Sequence, residues 1–333
     1  MRKGWGRRTA LLLGLTAMVA SAAARAEDKL ALAAPGQPPV FSALIMIVAE
    51  KGGFFKKYGV DGTVRQFGSG VAAAQAVATG EMQGSLSPSG SIINLVSNAG
   101  VPLVGIWGMM HPDWVLGSTD PKLAKCSDMK GQTIAIDAIG GARALALADL
   151  LKPCGLTVAD MKTVAVEANT APAMVAGQVK LGVLHIDDVA TIKNQTHKPV
   201  TIIDSSAHVT PVTHYNFFVV RKDKLAQNRN AYVHALAGVL DAVRFMYDPK
   251  NLDKFVEIAG VTGRPKEEIR EALPEFLKID FWTKQGDGMT RANVEAQIKA
   301  QVESHAIRDG KTPVSYDQLV DASLYKDAIK LLK

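Results

Sequence analysis

Short apolar runs and helix-patterned stretches alternate along residues 29–120, and the same alternation restarts after Asp120. In the first pass "LALAA" (30–34), "GTVRQFG" (62–68), "MQGSLS" (82–87) and "VPLVGIWG" (101–108) read as strands. Between them "FSALIMIVAEKGGFFKKYG" (41–59) reads as a helix broken near Gly52-Gly53, and "VAAAQAVATG" (71–80) and "SIINLVSNAG" (91–100) as helices closed by glycine. The second pass gives strands at "QTIAID" (132–137), "MKTVAVEA" (161–168), "LGVLHI" (181–186), "PVTIID" (199–204) and "YNFFVVRKD" (215–223). Its helices are "ARALALADLLK" (142–152) and "APAMVAG" (171–177). Strands spaced by helices make βαβ units, because a parallel pair needs a crossover about as long as a helix. The remainder is mostly helical. Val233, Leu236, Ala237, Leu240 and Val243 form an amphipathic stripe, Pro265 opens a helix after Thr262-Gly263, and Val294, Ile298 and Val302 mark another.

One segment occurs twice in outline. "VAAAQAVATGEMQGSLS" (71–87) and "NTAPAMVAGQVKLGVLH" (169–185) each run from a small-residue helix through a Gly into a short apolar strand and a polar turn. One copy lies in each half of the alternation, which predicts two lobes of similar design with a cleft at the carboxyl ends of their strands.

The first 26 residues stand apart. Arg2, Lys3, Arg7 and Arg8 precede the apolar run from Ala10 to Ala20, and Ala24-Arg25-Ala26 places small residues where a signal peptidase reads. This is the pattern of a secretory leader cut after Ala26, and the run is short for a membrane span of about 20 residues. Five of the 38 basic residues and none of the 32 acidic ones lie in that leader, so the remainder is close to neutral. The basic balance of the whole chain therefore gives no reason to expect nucleic acid as a partner. An exported chain meets oxidising conditions. Cys126 precedes a strand and Cys154 follows the returning helix, so the two either pair or remain separate buried thiols.

Several chemistries fall away on spacing. "GSLSPSG" (84–90) lacks the Gly-x-Ser-x-Gly of a nucleophile elbow, no lysine follows Gly90 as in a phosphate loop, and "AIGGARA" (138–144) is not a dinucleotide fingerprint. No His-Glu-x-x-His occurs, and two cysteines without a C-x-x-C make no metal site, so neither metal nor cofactor is expected. What remains is binding. Ser87, Ser89 and Ser91 lie where a strand gives way to a helix, a place that favours an anionic or dipolar group. The alternative there is N-capping alone. "IGGAR" (139–143) repeats the arrangement, with Gly141 and Ala142 at a helix start and Arg143 able either to fork onto an acidic ligand or to join an interlobe salt bridge. His185 and Asp187 end the second copy, where the acidic pair Asp187-Asp188 either accepts from a ligand or caps the next helix. Gln37 is the polar side chain of the Pro-rich turn "APGQPPVF" (34–41), and Trp107 and Trp114 flank the exit from the first lobe, one of them a candidate pocket wall.

Four stretches together resemble one family. "VAEKGGFFKKYGVDGTV" (48–64), "ATGEMQGSLSPSG" (78–90), "DMKGQTIAI" (128–136) and "DPKNLDKFVEIAG" (248–260) are similar to the periplasmic solute-binding proteins of ABC importers, in the group that binds nitrate, sulfonates, taurine and pyrimidine precursors of thiamine. The resemblance departs at Gln83 and Lys180, where an acid is usual. It implies an α/β fold of two lobes, each a mixed, mostly parallel sheet flanked by helices, joined by a hinge of two crossing segments. It puts residues 27–118 and 217–333 in lobe 1 and 119–216 in lobe 2. It also implies a ligand held against Gln37, Ser87 with Ser89, and Gly141 to Arg143. The function expected from it is capture of a small organic solute, sulfonate- or taurine-like, by a monomer that delivers it to a permease and ATPase in the inner membrane. The rivals are an exported enzyme of the same fold, with His185 and Asp187 as acid and base on a small heteroaromatic compound, and a sensory subunit.

Overall fold

The computed structural model describes residues 1, 28–136, 142–166, 170–208 and 213–332. The leader read at residues 1–26 lies almost wholly outside these, as does Gly141. Among the described residues two five-stranded sheets form. Ten strands build them: β1 (Asp28–Pro35), β2 (Val60–Phe67), β3 (Gly84–Pro88), β4 (Leu103–Met109), β5 (Trp114–Ser118), β6 (Thr133–Ile136), β7 (Lys162–Ala165), β8 (Leu181–His185), β9 (Thr201–Ser205) and β10 (Asn216–Arg221). The first sheet has the order β2-β1-β3-β10-β4 and the second β7-β6-β8-β5-β9.

The two orders are the same pattern. In each sheet the first three strands pair in parallel, and the fourth is antiparallel to both of its neighbours. That reversed strand is borrowed. β10 follows the second sheet in sequence yet lies in the first, and β5 follows the first sheet yet lies in the second. The chain therefore crosses between lobes twice, after Met109 and after Ser205. The division expected at 118/119 is corrected: Trp114–Ser118 is already paired with β8 and β9, so the change of lobe precedes it. The division at 216/217 moves by one residue, since Asn216 pairs with Pro88 and Met109 in the first sheet.

Each sheet is covered on both faces. Leu32, Leu86, Ile106 and Phe218 point into one core with the long helix Arg229–Tyr247, while Ala33, Leu103, Phe217 and Val219 point into another with the helix Gly70–Ala78. Alternation along β10 sends Phe217 and Phe218 to opposite faces, as the period of two requires. The second sheet likewise has Leu181 and Val183 on one face and Leu184 on the other. The expected break at Gly52-Gly53 is present, with Gly53 at φ 77° between the helices Leu44–Lys51 and Phe54–Lys57. Pro265 directly precedes the helix Lys266–Lys278, as its fixed φ favours. Cys126 and Cys154 are joined in a disulfide, their Cα atoms 5.1 Å apart. Among the described residues no helix is long and apolar enough to cross a membrane.

Candidate functional site

Side chains from both lobes converge where the crossing segments pass. Asp113 lies on the first crossing, directly before β5, and Tyr215 on the second, directly before β10. Ser42 belongs to the turn that follows β1, and it is buried. From the second lobe come Trp114, Arg143 in the first turn of the helix Ala142–Leu151, and His185 at the end of β8. The helix Ile186–Thr196 starts there and carries Asp187 and Asp188 in its first turn. Across from it, Arg264 and Glu268 stand at the start of the helix Lys266–Lys278, which packs into the first lobe's core through Ile269, Leu273 and Phe276.

These groups pair closely. His185 Nδ1 is 2.9 Å from Asp113 Oδ2, and the His185 ring lies against Trp114 with centroids 4.0 Å apart. Arg143 donates through Nε to the Val183 carbonyl at 3.1 Å, stands 3.5 Å from Asp188, and sits 5.7 Å from the Trp114 ring centroid. Arg264 is the hub of the opposite wall. It contacts Asp187 and Thr191 closely, donates to Asp188 at 3.2 Å, and lies 3.7 Å from Glu268. Thr191 in turn donates to Glu268 at 2.7 Å, and Lys193 pairs with Glu271 further along the same two helices. The two lobes are thus bridged by ions rather than by apolar contact alone.

Burial tunes this cluster. Burial pushes the Asp187 carboxyl up to about 6, with the neighbouring charge of Asp188 adding to it and Arg264 opposing. For His185 burial pulls down, but the Asp113 carboxylate and its hydrogen bond outweigh it and the imidazole is raised. Burial first, then the charges of Asp113 and Asp187, hold the Tyr215 phenol well above its ordinary range. A carboxyl that binds its proton more tightly when buried than in water favours the folded, closed form at low pH. That contribution is complete below the ordinary value of 3.8 and is lost as pH rises through about 6. The difference in melting temperature between the protein and its Asp187→Asn variant should therefore decline from pH 4 to pH 7. A flat difference would show that the carboxyl is not held in this buried state beside Asp188.

The structure brings some of the expected residues together and scatters others. Arg143, His185 and Asp187 come together, but the Arg143–Asp188 ion pair lies within the second lobe, so the interlobe bridge that was one reading of Arg143 is made by Arg264 instead. The capping question resolves by division: Asp188 accepts from the His185 N–H at 3.1 Å and caps the helix, leaving Asp187 to Arg264. Trp107 is corrected, for it is fully buried opposite Phe218 in the first lobe's core, whereas Trp114 packs on the His185 ring and against the second lobe's core. Ser87 and Ser89 are fully buried. Ser87 bonds Ser85 at 2.5 Å and Ser89 bonds His214 Nδ1 at 2.5 Å, so the serine turn holds the second crossing segment. Gln37 is exposed and donates to the Gln66 carbonyl at 2.8 Å, within its own lobe. Ala142 begins its helix as expected. Asp113, Tyr215, Arg264 and Glu268 were not foreseen; the one local signal was the Arg264-x-x-x-Glu268 spacing at a helix entry.

Comparison with known proteins gives a family and a fold. The family described as NMT1/THI5 like matches residues 41–251. A chain from Brucella abortus (strain 2308), named as a binding protein, is 22% identical over 258 residues, covering 77% of this chain and 71% of its own. The periplasmic aliphatic sulphonate binding protein of Escherichia coli superposes with a TM-score of 0.67 at 16% identity, over 86% of this chain and 93% of its own. The desulfurization enzyme DszB superposes with a TM-score of 0.61 at 14% identity, over 91% of this chain and 99% of its own. Both structural likenesses are of fold.

Proposed function

The chain belongs to the NMT1/THI5-like family, and from that premise we propose that it is the periplasmic substrate-binding component of an ABC importer. Its lobes, divided after Met109 and after Ser205, close on a small organic solute and present it to a permease. The observation that carries this reading is the bridge of Arg264 to Asp187 and Asp188 across the cleft: complementary charges from the two lobes meet only when the lobes are closed. A solute that touches both walls then shifts the open–closed equilibrium toward the form a permease reads. Arg143 is the group in the cleft suited to an anionic end, which favours a sulfonate- or taurine-like solute, the former being what the E. coli neighbour's name says it binds. Export through the leader, with cleavage after Ala26, would place the protein in the periplasm.

Native mass spectrometry of residues 27–333, purified without refolding, tests the proposal. A solute present at a hundredfold excess over Kd stabilises the folded form by about 2.7 kcal/mol. Release of an intact small molecule on mild denaturation supports the carrier. A second reading, an enzyme on this fold, is favoured by one contact: Asp113 orients the His185 imidazole as a base-orienting carboxylate would. Asp187, the acid first paired with His185, faces Arg264 instead. Recovery of the released compound chemically altered, with the change abolished in His185→Gln, would replace the carrier by the enzyme.

A further inference from the structure

The second lobe brings together three side chains of metal-ligating chemistry that take no part in the ion set between the lobes. Cys126 opens a short helical turn ahead of β6, Cys154 follows the helix Ala142–Leu151, and Asp204 lies in β9. One ligand atom from each, the two Sγ atoms and a carboxylate oxygen, lie within 4.8 Å of one another. Both cysteines are half-buried and Asp204 is buried. The cysteine spacing predicts no metal here, because the third ligand arrives from a strand far along the chain.

While the two sulfurs are joined they offer a cation no charge. Reduction changes that. A dithiol reductant passes two electrons and two protons to the sulfurs, is itself oxidised to a disulfide, and leaves Cys126 and Cys154 as thiols. A divalent cation then displaces the two thiol protons to water and is held by two thiolates and the Asp204 carboxylate. Three anions so close together repel, and a cation among them turns the repulsion into attraction. The carboxylate is already fixed in place. Its Oδ1 accepts from the Ser205 N–H and from His208 Nδ1, each at 2.8 Å, so outer partners hold it through one oxygen as they hold many metal ligands.

Two thiolates and a carboxylate suit tetrahedral Zn2+, with Zn–S near ~2.3 Å and Zn–O near ~2.1 Å. Ligand atoms around such a centre stand about 3.5–3.8 Å apart, a spacing that small side-chain rotations supply here. We propose that Cys126, Cys154 and Asp204 form a Zn2+ site that reduction of the disulfide opens, with water in the fourth position. This site is independent of the carrier reading, since neither solute nor permease enters it.

Residues 27–333 without a histidine tag, stripped of metal by a chelator, are compared oxidised and after reduction by the phosphine TCEP. Native mass spectrometry should find one Zn2+ on each reduced chain and none on the oxidised chain. Competition with a chromophoric chelator should give the reduced form a Kd below about 1 µM. Co2+ in place of Zn2+ should add a thiolate-to-metal charge-transfer band in the near ultraviolet. Asp204→Asn, checked for an unchanged melting profile, should keep that band and bind Zn2+ about tenfold or more weakly. The comparison of the two wild-type forms stands even if the variant fails to fold. Equal uptake by both forms, no uptake by the reduced form at about 10 µM Zn2+, or a cobalt form without the band overturns the inference. So does an affinity unchanged in folded Asp204→Asn, or a reduced chain that unfolds and is not restored by Zn2+.

Discussion

Arg264→Met is expected to open the protein: the ratio of closed to open forms should fall by about a hundredfold, and solute affinity with it by tenfold or more. Removing one member of a buried ion set leaves its partners charged and unpaired, at a cost of about 3–5 kcal/mol. Arg264 keeps 23% of its side chain exposed while Asp187, Asp188 and Glu268 are 10% or less, so the lower end of that range applies. About 3 kcal/mol is near a hundredfold in a two-state equilibrium. The carboxylates have an escape, because all three lie on the interface between the helices Ile186–Thr196 and Lys266–Lys278 rather than inside one lobe. Opening returns them to water without unfolding either sheet. The penalty should therefore appear as a larger radius of gyration in small-angle scattering, with little loss of melting temperature. Adding Asp187→Asn removes one of the stranded charges and should restore part of the closure. A compact variant that melts much earlier would show instead that the ion set holds the fold together and is not a latch.

The periodic features of this fold were open to reading, and the long-range ones were not. Alternating apolar runs and helices gave the α/β class, and the doubled segment at 71–87 and 169–185 falls on β3 and β8, the third strands of two sheets of identical order. The strand that escaped notice is β5. "WVLGS" is five residues long, follows Pro112-Asp113, and finds its partners at 181–185 and 201–205. Nothing local distinguishes such a run from a linker. The site divides in the same way. His185 and Asp187 announce themselves as polar residues at the end of an apolar strand, where open α/β sheets bind ligands. Arg264 lies 77 residues beyond Asp187, and the His214 that occupies Ser89 lies 125 residues beyond it. Hydroxyls at a strand-to-helix turn look available in sequence because the group that claims them arrives from the other side of the hinge. Trp107 misleads for a related reason: its neighbours in β4 are all buried, so the ring faces the core, and it is Trp114, one crossing later, that lies against His185.

Replacing both Cys126 and Cys154 by serine should cost the second lobe about 3.5 kcal/mol. The bridge closes a span of 28 residues, and the chain-entropy model assigns that loop roughly this much restriction of the unfolded state. The effect should be local to one lobe. Between the cysteines lie β6 and the helix Ala142–Leu151, whose Leu147, Leu150 and Leu151 fill the second sheet's core with Ile134 and Ile136, whereas the first lobe has no covalent tie to them beyond the two crossings. Equilibrium unfolding should thus separate into two steps in the variant, the earlier one reporting the second lobe and matching the wild type under reductant. β7, whose four residues are all exposed at the edge of that sheet, is held mainly by pairing with β6, so its amides should be the first to lose exchange protection. A single transition shifted as a whole would mean that the lobes unfold cooperatively, with the ion bridge of Arg264 coupling them. Combining the serine pair with Arg264→Met decides between these, since the second substitution removes the coupling and must then split the transition.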